Sequence, residues 1–174
     1  MNEVLQSLKE RRSIRKYKAD MVPRELIAQI LETGLYAANG MGEQKPIVLA
    51  VTNRELRDRL SDMNRRIGGW KDGFDPFYGA PVVLIVLAPK DWPQCLYDGS
   101  LMMGQLMAAA HAVGVGSCWI HRAKEEFASA EGKKILQELG VQGNYEGIGH
   151  CVLGYPAEIP KTATRKNGRI FWAE

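Results

Sequence analysis

The sequence predicts one domain with an α/β or α+β sandwich fold, and three observations predict it. Apolar residues recur at helical spacing in several segments. Short runs rich in β-branched residues alternate with those segments, as layered helix and sheet packing requires. No internal repeat or linker divides the 174 residues into two units, and a chain of that length supports one sizeable core.

The elements follow in order. Val4, Leu5 and Leu8 make an apolar stripe on a first helix. Arg24 to Ala37 makes a second through Leu26/Ile30 and Ile27/Leu31/Leu35, with Pro23 at a position a helix start tolerates. Ile47 to Val51 reads as a buried strand, and Arg54 to Arg66 as a surface helix with Leu56, Leu60 and Met63 inward. Val82 to Leu87 is a second strand, and Val115 to Ile120 and Ile148 to Tyr155 are two more, with helical sequence from Lys124 to Leu139 between them. The helix from Gly99 to Val113 is apolar all round its axis, through Leu101, Met102, Met103, Leu106, Met107, Ala109, Ala110 and Val113. Such a helix is buried on every side. A second copy of the chain would cover it, so a homodimer is expected; burial inside one subunit is the competing arrangement. From about residue 157 the chain reads as a C-terminal arm, polar and basic, ending on Ile170, Phe171 and Trp172, which need a surface to dock on.

Composition bounds the function. A hydrophobic fraction of 45% and a charged fraction of 25% are those of a soluble globular protein. The opening residues lack the basic start and apolar run of a secretory signal. The longest apolar run, Ala80 to Ala88, is interrupted by Pro81 and falls far short of the roughly 20 residues that span a bilayer. Cys95, Cys118 and Cys151 are widely spaced and form no CxxC pair, which argues against a disulfide framework or a zinc site. A cytoplasmic protein is expected. The net charge of +3 is too small for a nucleic-acid binder.

Charge clusters locally, at Arg11 to Lys18, at Arg65-Arg66 and at Lys161 to Arg169. Arg11-Arg12-Ser13-Ile14-Arg15 sets three guanidinium forks and a hydroxyl within five positions, the donor types that a phosphate monoester takes. The same residues also read as a solvated basic helix end. Phosphate loops are missing: Gly40-Met41-Gly42, Gly114-Val115-Gly116 and Gly147-Ile148-Gly149 each lack the third glycine of a dinucleotide fingerprint, and no GxxxxGK[ST] occurs. No GxSxG is present, and His111, His121 and His150 stand alone and read as structural. A chain without its own reactive group points to chemistry borrowed from a cofactor.

Five segments, taken together and in order, resemble the FMN-dependent nitroreductase family. They are Arg11-Arg12-Ser13-Ile14-Arg15-Lys16-Tyr17; Ala37-Ala38-Asn39-Gly40-Met41-Gly42-Glu43-Gln44; Asp75-Pro76-Phe77-Tyr78-Gly79-Ala80-Pro81; Gly114-Val115-Gly116-Ser117-Cys118-Trp119-Ile120; and Leu153-Gly154-Tyr155-Pro156-Ala157-Glu158. The resemblance implies an α+β sandwich with a central, mainly antiparallel sheet flanked by helices. It also implies an intertwined homodimer with two FMN sites at the subunit interface, reduced by NADH or NADPH. An electron-poor acceptor such as a nitroaromatic, quinone or enone would then reoxidise the flavin in ping-pong order.

By the same likeness Arg11, Arg12 and Ser13 bind the FMN phosphate or ribityl chain, and Arg15 lies near the pyrimidine end of the ring, where positive charge stabilises the reduced flavin. Arg165 and Lys166 resemble a second pair of phosphate ligands. The family's Pro-Ser-Ser-x-Asn-x-Gln segment is altered: Ala38, Asn39, Gly40, Gly42 and Gln44 fall at its Pro, Ser, Ser, Asn and Gln positions, and only Gln44 is kept. Contacts from a partner subunit would therefore come from the Asn39 side chain and from backbone near Gly40, unless this stretch is a plain turn. Asn64 is the candidate for the family's ring-contacting Asn. Ser117 and Cys118 run beside the ring by the same likeness, or else are small residues in a buried strand. Gly68 to Phe74, glycine-rich with two aromatics, reads as a mobile lid or a solvent loop. Dehalogenation, flavin fragmentation or a non-catalytic flavin carrier are the rival readings on the same fold.

Overall fold

A computed structural model describes residues 2–174. At its centre is β2 (Val82–Pro89), whose residues Val82 to Ala88 are all buried. An unbroken apolar strand of this kind needs cover on both faces. It pairs antiparallel with β1 (Ile47–Val51) on one side and with β4 (Tyr145–Gly154) on the other, and β4 pairs antiparallel with β3 (Gly116–Ile120). The sheet order is β1-β2-β4-β3, so the fold is α+β with an antiparallel sheet, as the resemblance implies.

Helices cover the two faces. α2 (Arg24–Leu35) and α4 (Cys95–Ala112) pack on one, where Ile27, Ile30, Met102, Met103 and Leu106 meet Val82, Leu84 and Val86. On the other, Leu60 and Met63 of α3 (Arg54–Gly68), Phe127 of α5 (Ala123–Ala128) and Ile135 of α6 (Ala130–Glu138) meet Val83, Ile85 and Leu87. α1 (Glu3–Glu10) is capped by the Asn2 side chain and has no buried residue. α3 starts on the Asn53 side chain, which accepts from Leu56 N, and stops where Gly69 takes the left-handed conformation.

Several boundaries differ from the sequence expectation. The single helix expected over Lys124 to Leu139 is two, because Ser129 is extended and its hydroxyl caps Gly132 N at 3.0 Å. α2 stops at Leu35, two residues early. α4 begins four residues before Gly99; polar Asp98, which looks like a surface residue, is buried there by its own hydrogen bonds. β4 begins at Tyr145, where Gly147 hides the strand pattern; a Cβ at Gly147 would stand 2.2 Å from Ala123 O, so only glycine lets α5 lie this close.

α4 is not buried all round within the chain. Its Leu96, Tyr97 and Leu101 are 57%, 70% and 51% exposed, and Val4, Leu5 and Leu8 on α1 are exposed too. The arm has no helix or strand, residues 161–174 are exposed throughout, and Phe171 and Trp172 are among the most exposed apolar side chains.

Candidate functional site

Residues 11–18 leave α1 in extended form and lie along the ends of β3 and β4. Ile14 N donates to Ser117 O, Lys18 N to Tyr155 O, and Ala157 N to Lys16 O, each at 2.9 Å. Tyr17 anchors the segment: its hydroxyl donates to Ile14 O at 2.7 Å, and burial pushes its pKa up. These bonds fix the basic cluster at one end of the sheet.

The cluster divides. Arg11, Ser13 and Arg15 all act on Cys118: burial pushes that thiol up, while Arg15, a hydrogen bond with Ser13, and Arg11 act in the opposite direction. Arg12 turns away, donating through Nη1 to Lys9 O at 2.6 Å and Arg11 O at 2.8 Å, so part of its guanidinium caps the end of α1. Arg12, Ile14 and Ser117 line a cleft of about 430 Å³ together with His111, Pro156 and Glu158. Arg15, Asn64, Cys118 and Trp119 line a neighbouring cleft of about 300 Å³, whose other walls include Trp70, Phe74, Tyr78, His121 and Arg122.

Polar atoms without partners mark the same region. Arg11 Nη1, Arg12 Nε, Ser117 Oγ and Trp119 Nε1 are buried and make no hydrogen bond. Buried polar atoms ordinarily find partners. Cationic donors and a hydroxyl left open beside a cleft are the donor set for an oxyanion with an attached planar group. Trp70 and Phe74 meet at a tilt of 46° with centroids 5.3 Å apart and Phe74 meets Tyr78 edge-on at 6.3 Å, which gives the cleft an aromatic wall. The Gly68 to Phe74 stretch therefore flanks the site.

Asn64, on α3, is 1% exposed. Its Nδ2 donates to His121 O at 2.7 Å and to Glu126 Oε1 at 2.8 Å. The other expected residues are not gathered here. Ala38, Asn39 and Gln44 line a separate small cleft against Asp98 and Met102 of α4. The Asn39 side chain is bent into its own loop, Oδ1 accepting from Gln44 N and Nδ2 donating to Ala37 O. Gly40 N donates to Asp98 Oδ1 at 2.9 Å, and Gly42 has positive φ within the same turn. Arg165 and Lys166 are exposed on the arm and are not brought to Arg11 or Ser13 within one chain. Glu126 escaped the sequence reading, because a helical Glu looks solvated, and His150 was read only as structural, because a lone strand His gives no spacing signal.

Fold and cleft together define a class, an α+β sandwich with a cationic, aromatic-walled site at the end of its sheet. The profile of the Nitroreductase family matches residues 8–67 and 70–155, and the chain belongs to that family. It is 30% identical over 169 residues to a protein of Methanothermobacter thermautotrophicus provisionally named NADH dehydrogenase/NAD(P)H nitroreductase, covering 92% of this chain and 81% of the relative. Among solved structures, it is similar to a nitroreductase with bound FMN from Bacteroides fragilis (30% identity, TM-score 0.90, all of both chains). It is likewise similar to one with bound FMN from Desulfitobacterium hafniense (26% identity, TM-score 0.90, all of both chains). No helix among the described residues is long and apolar enough to cross a membrane.

Proposed function

We propose that the chain is an FMN-dependent oxidoreductase that takes hydride from NADH or NADPH and passes it to an electron-poor acceptor, a nitroaromatic, quinone or enone, both substrates using one pocket in turn. The observation that carries this reading is the unpartnered, buried Arg11 Nη1, whose guanidinium acts on Cys118 in the wall of the cleft that Arg15 and Asn64 also line. It is supported by the bound FMN of the Bacteroides fragilis relative and the NAD(P)H in the name of the archaeal one. When bound, FMN supplies the hydride acceptor and donor.

The chain supplies placement and field. Arg11 and Ser13 bind the phosphate or ribityl chain, and Arg165 and Lys166 join them as the arm settles. Arg15 sets positive charge near the pyrimidine edge, where a guanidinium in a low-dielectric cleft acts strongly. The aromatic wall of Trp70, Phe74 and Tyr78 excludes water and offers a flat surface to a planar substrate. No side chain acts as nucleophile: Cys118, the one thiol lining the cleft, is held by burial in its less reactive protonated form.

The functional unit in this reading is a homodimer. The loop carrying Asn39, Gly40 and Gln44 packs on Asp98 and Met102 of α4, whose neighbours Tyr97 and Leu101 are exposed; in this reading a second copy covers that exposed face and its own loop completes the site. Steady-state assays with nitrofurazone, menadione and iodotyrosine, each with NADH and NADPH, test the reading. Turnover of the first two supports it; turnover of iodotyrosine alone would assign a dehalogenase, and none at all a flavin carrier.

A further inference from the structure

Beneath the cleft lies a polar network that hydride transfer does not use. Glu126 and His150 are both 0% exposed. Glu126 Oε2 is 2.9 Å from His150 Nε2, and Oε1 accepts from Asn64 Nδ2. The network ties α5, β4 and α3 together, and Phe77 packs on the His150 ring at a centroid distance of 5.2 Å. Burying a carboxylate and an imidazole is costly, and apolar residues of the same volume would fill this space at no desolvation cost. What apolar residues cannot do is orient an amide.

The orientation of Asn64 is fixed by its neighbours. His121 O is a carbonyl and only accepts, so the group 2.7 Å away must be the amide nitrogen. The second amide hydrogen goes to Glu126. Oδ1 is left facing away from both, and it accepts no hydrogen bond among the described residues, while Asn64 lines the cleft. The cleft therefore meets an acceptor at Asn64 and a donor at Arg15. An isoalloxazine presents the complement along its pyrimidine edge, an imide N–H between two carbonyl oxygens.

We propose that Glu126 and His150 are positioning residues: they turn both amide hydrogens of Asn64 inward, so that its carbonyl oxygen is offered to the imide N–H of the flavin. The inference rests on the function proposed above and adds to it the pair that sets the ring contact. It is tested by comparing the binding of FMN with that of 3-methyl-FMN, which lacks the imide hydrogen, using flavin fluorescence quenching, with thermal melting of each apo-protein as a folding control. Wild type is expected to bind FMN about tenfold more tightly, the value of about one hydrogen bond. Asn64→Ala removes the preference. Glu126→Leu reduces it to about twofold, since the second amide hydrogen then has no acceptor and only His121 O holds Asn64, whereas Glu126→Gln, whose amide oxygen still accepts from Asn64, keeps it within threefold of wild type.

A Glu126→Leu protein with the wild-type preference, or one indistinguishable from Glu126→Gln, would overturn the inference. Should Glu126→Leu fail to fold, the wild-type protein carries the test through the Asn64 side-chain amide signals in NMR. Both hydrogens are expected to be protected from exchange with and without FMN, and rapid exchange of either would refute the assignment. If FMN binds with no preference over 3-methyl-FMN, this inference alone fails. If neither flavin binds, the proposed function fails and this inference falls with it.

Discussion

Arg11→Met separates binding from folding because it carries opposite signs for the two. In the chain as it stands, Arg11 Nη1 is buried without an acceptor, and leaving such a donor unsatisfied costs about 1–3 kcal/mol. Arg11 is only partly buried as a whole, so the lower end, about 1 kcal/mol, applies. Methionine keeps the length and the apolar stem. The apo-protein should therefore melt about 3 °C higher, the shift that about 1 kcal/mol produces in a chain of this size. FMN binding loses a charge-assisted bond worth about 1.5–3 kcal/mol, a factor of about 10 to 150 in dissociation constant. Differential scanning fluorimetry of apo-protein and fluorescence titration with FMN measure the two effects. A lower apo melting temperature combined with an affinity within twofold of wild type would refute the account of Arg11.

Three further outcomes are expected. Asp75 receives Arg57 Nη2, Ser61 Oγ and the Phe77 and Gly79 amides; burial raises its pKa, but the bonds from Arg57 and Ser61 outweigh it and hold it below the usual carboxylate range. A depressed folded-state pKa gives stability that is complete above the unfolded value near about 3.9 and fades as pH falls through the folded one. Asp75→Asn should thus cost about 2 kcal/mol at pH 7 and flatten the loss of stability below about pH 4, as urea titrations at several pH values would show. Gly147→Ala drives a Cβ into the Ala123 backbone and should cost about 3 kcal/mol; an unchanged denaturation midpoint would contradict the packing of α5 on β4. Leu101→Glu on the exposed face of α4 should leave the fold intact and yield monomers by light scattering, whereas a persistent dimer would place the interface elsewhere.

The strands were legible because β2 is an unbroken apolar run and because β1 and β3 are short and bounded by turns. β4 was legible only from Ile148, since Gly147 carries no side chain to mark the pleat. The break between α5 and α6 was hidden because it rests on the Ser129 hydroxyl capping Gly132 N and on the close approach of Gly132 to Glu126 O, neither of which interrupts the apolar periodicity. At the site, residue types marked Arg11 to Arg15 as a basic cluster, but the direction of Arg12 depends on which carbonyls α1 leaves open. Glu126 and His150 were illegible for a related reason. Residues 24 positions apart become one pair only through the packing of α5 against β4, and nothing in either local sequence announces burial.

The central claim is that one FMN sits in the cationic cleft of each chain, and an anaerobic titration of apo-protein with FMN, followed by NADH or NADPH, tests it most directly. The account predicts saturable binding at one flavin per chain, bleaching by the nicotinamide and recovery of colour with menadione. Flavin that stays free in solution at every concentration, or bound flavin that neither nicotinamide reduces, would contradict it.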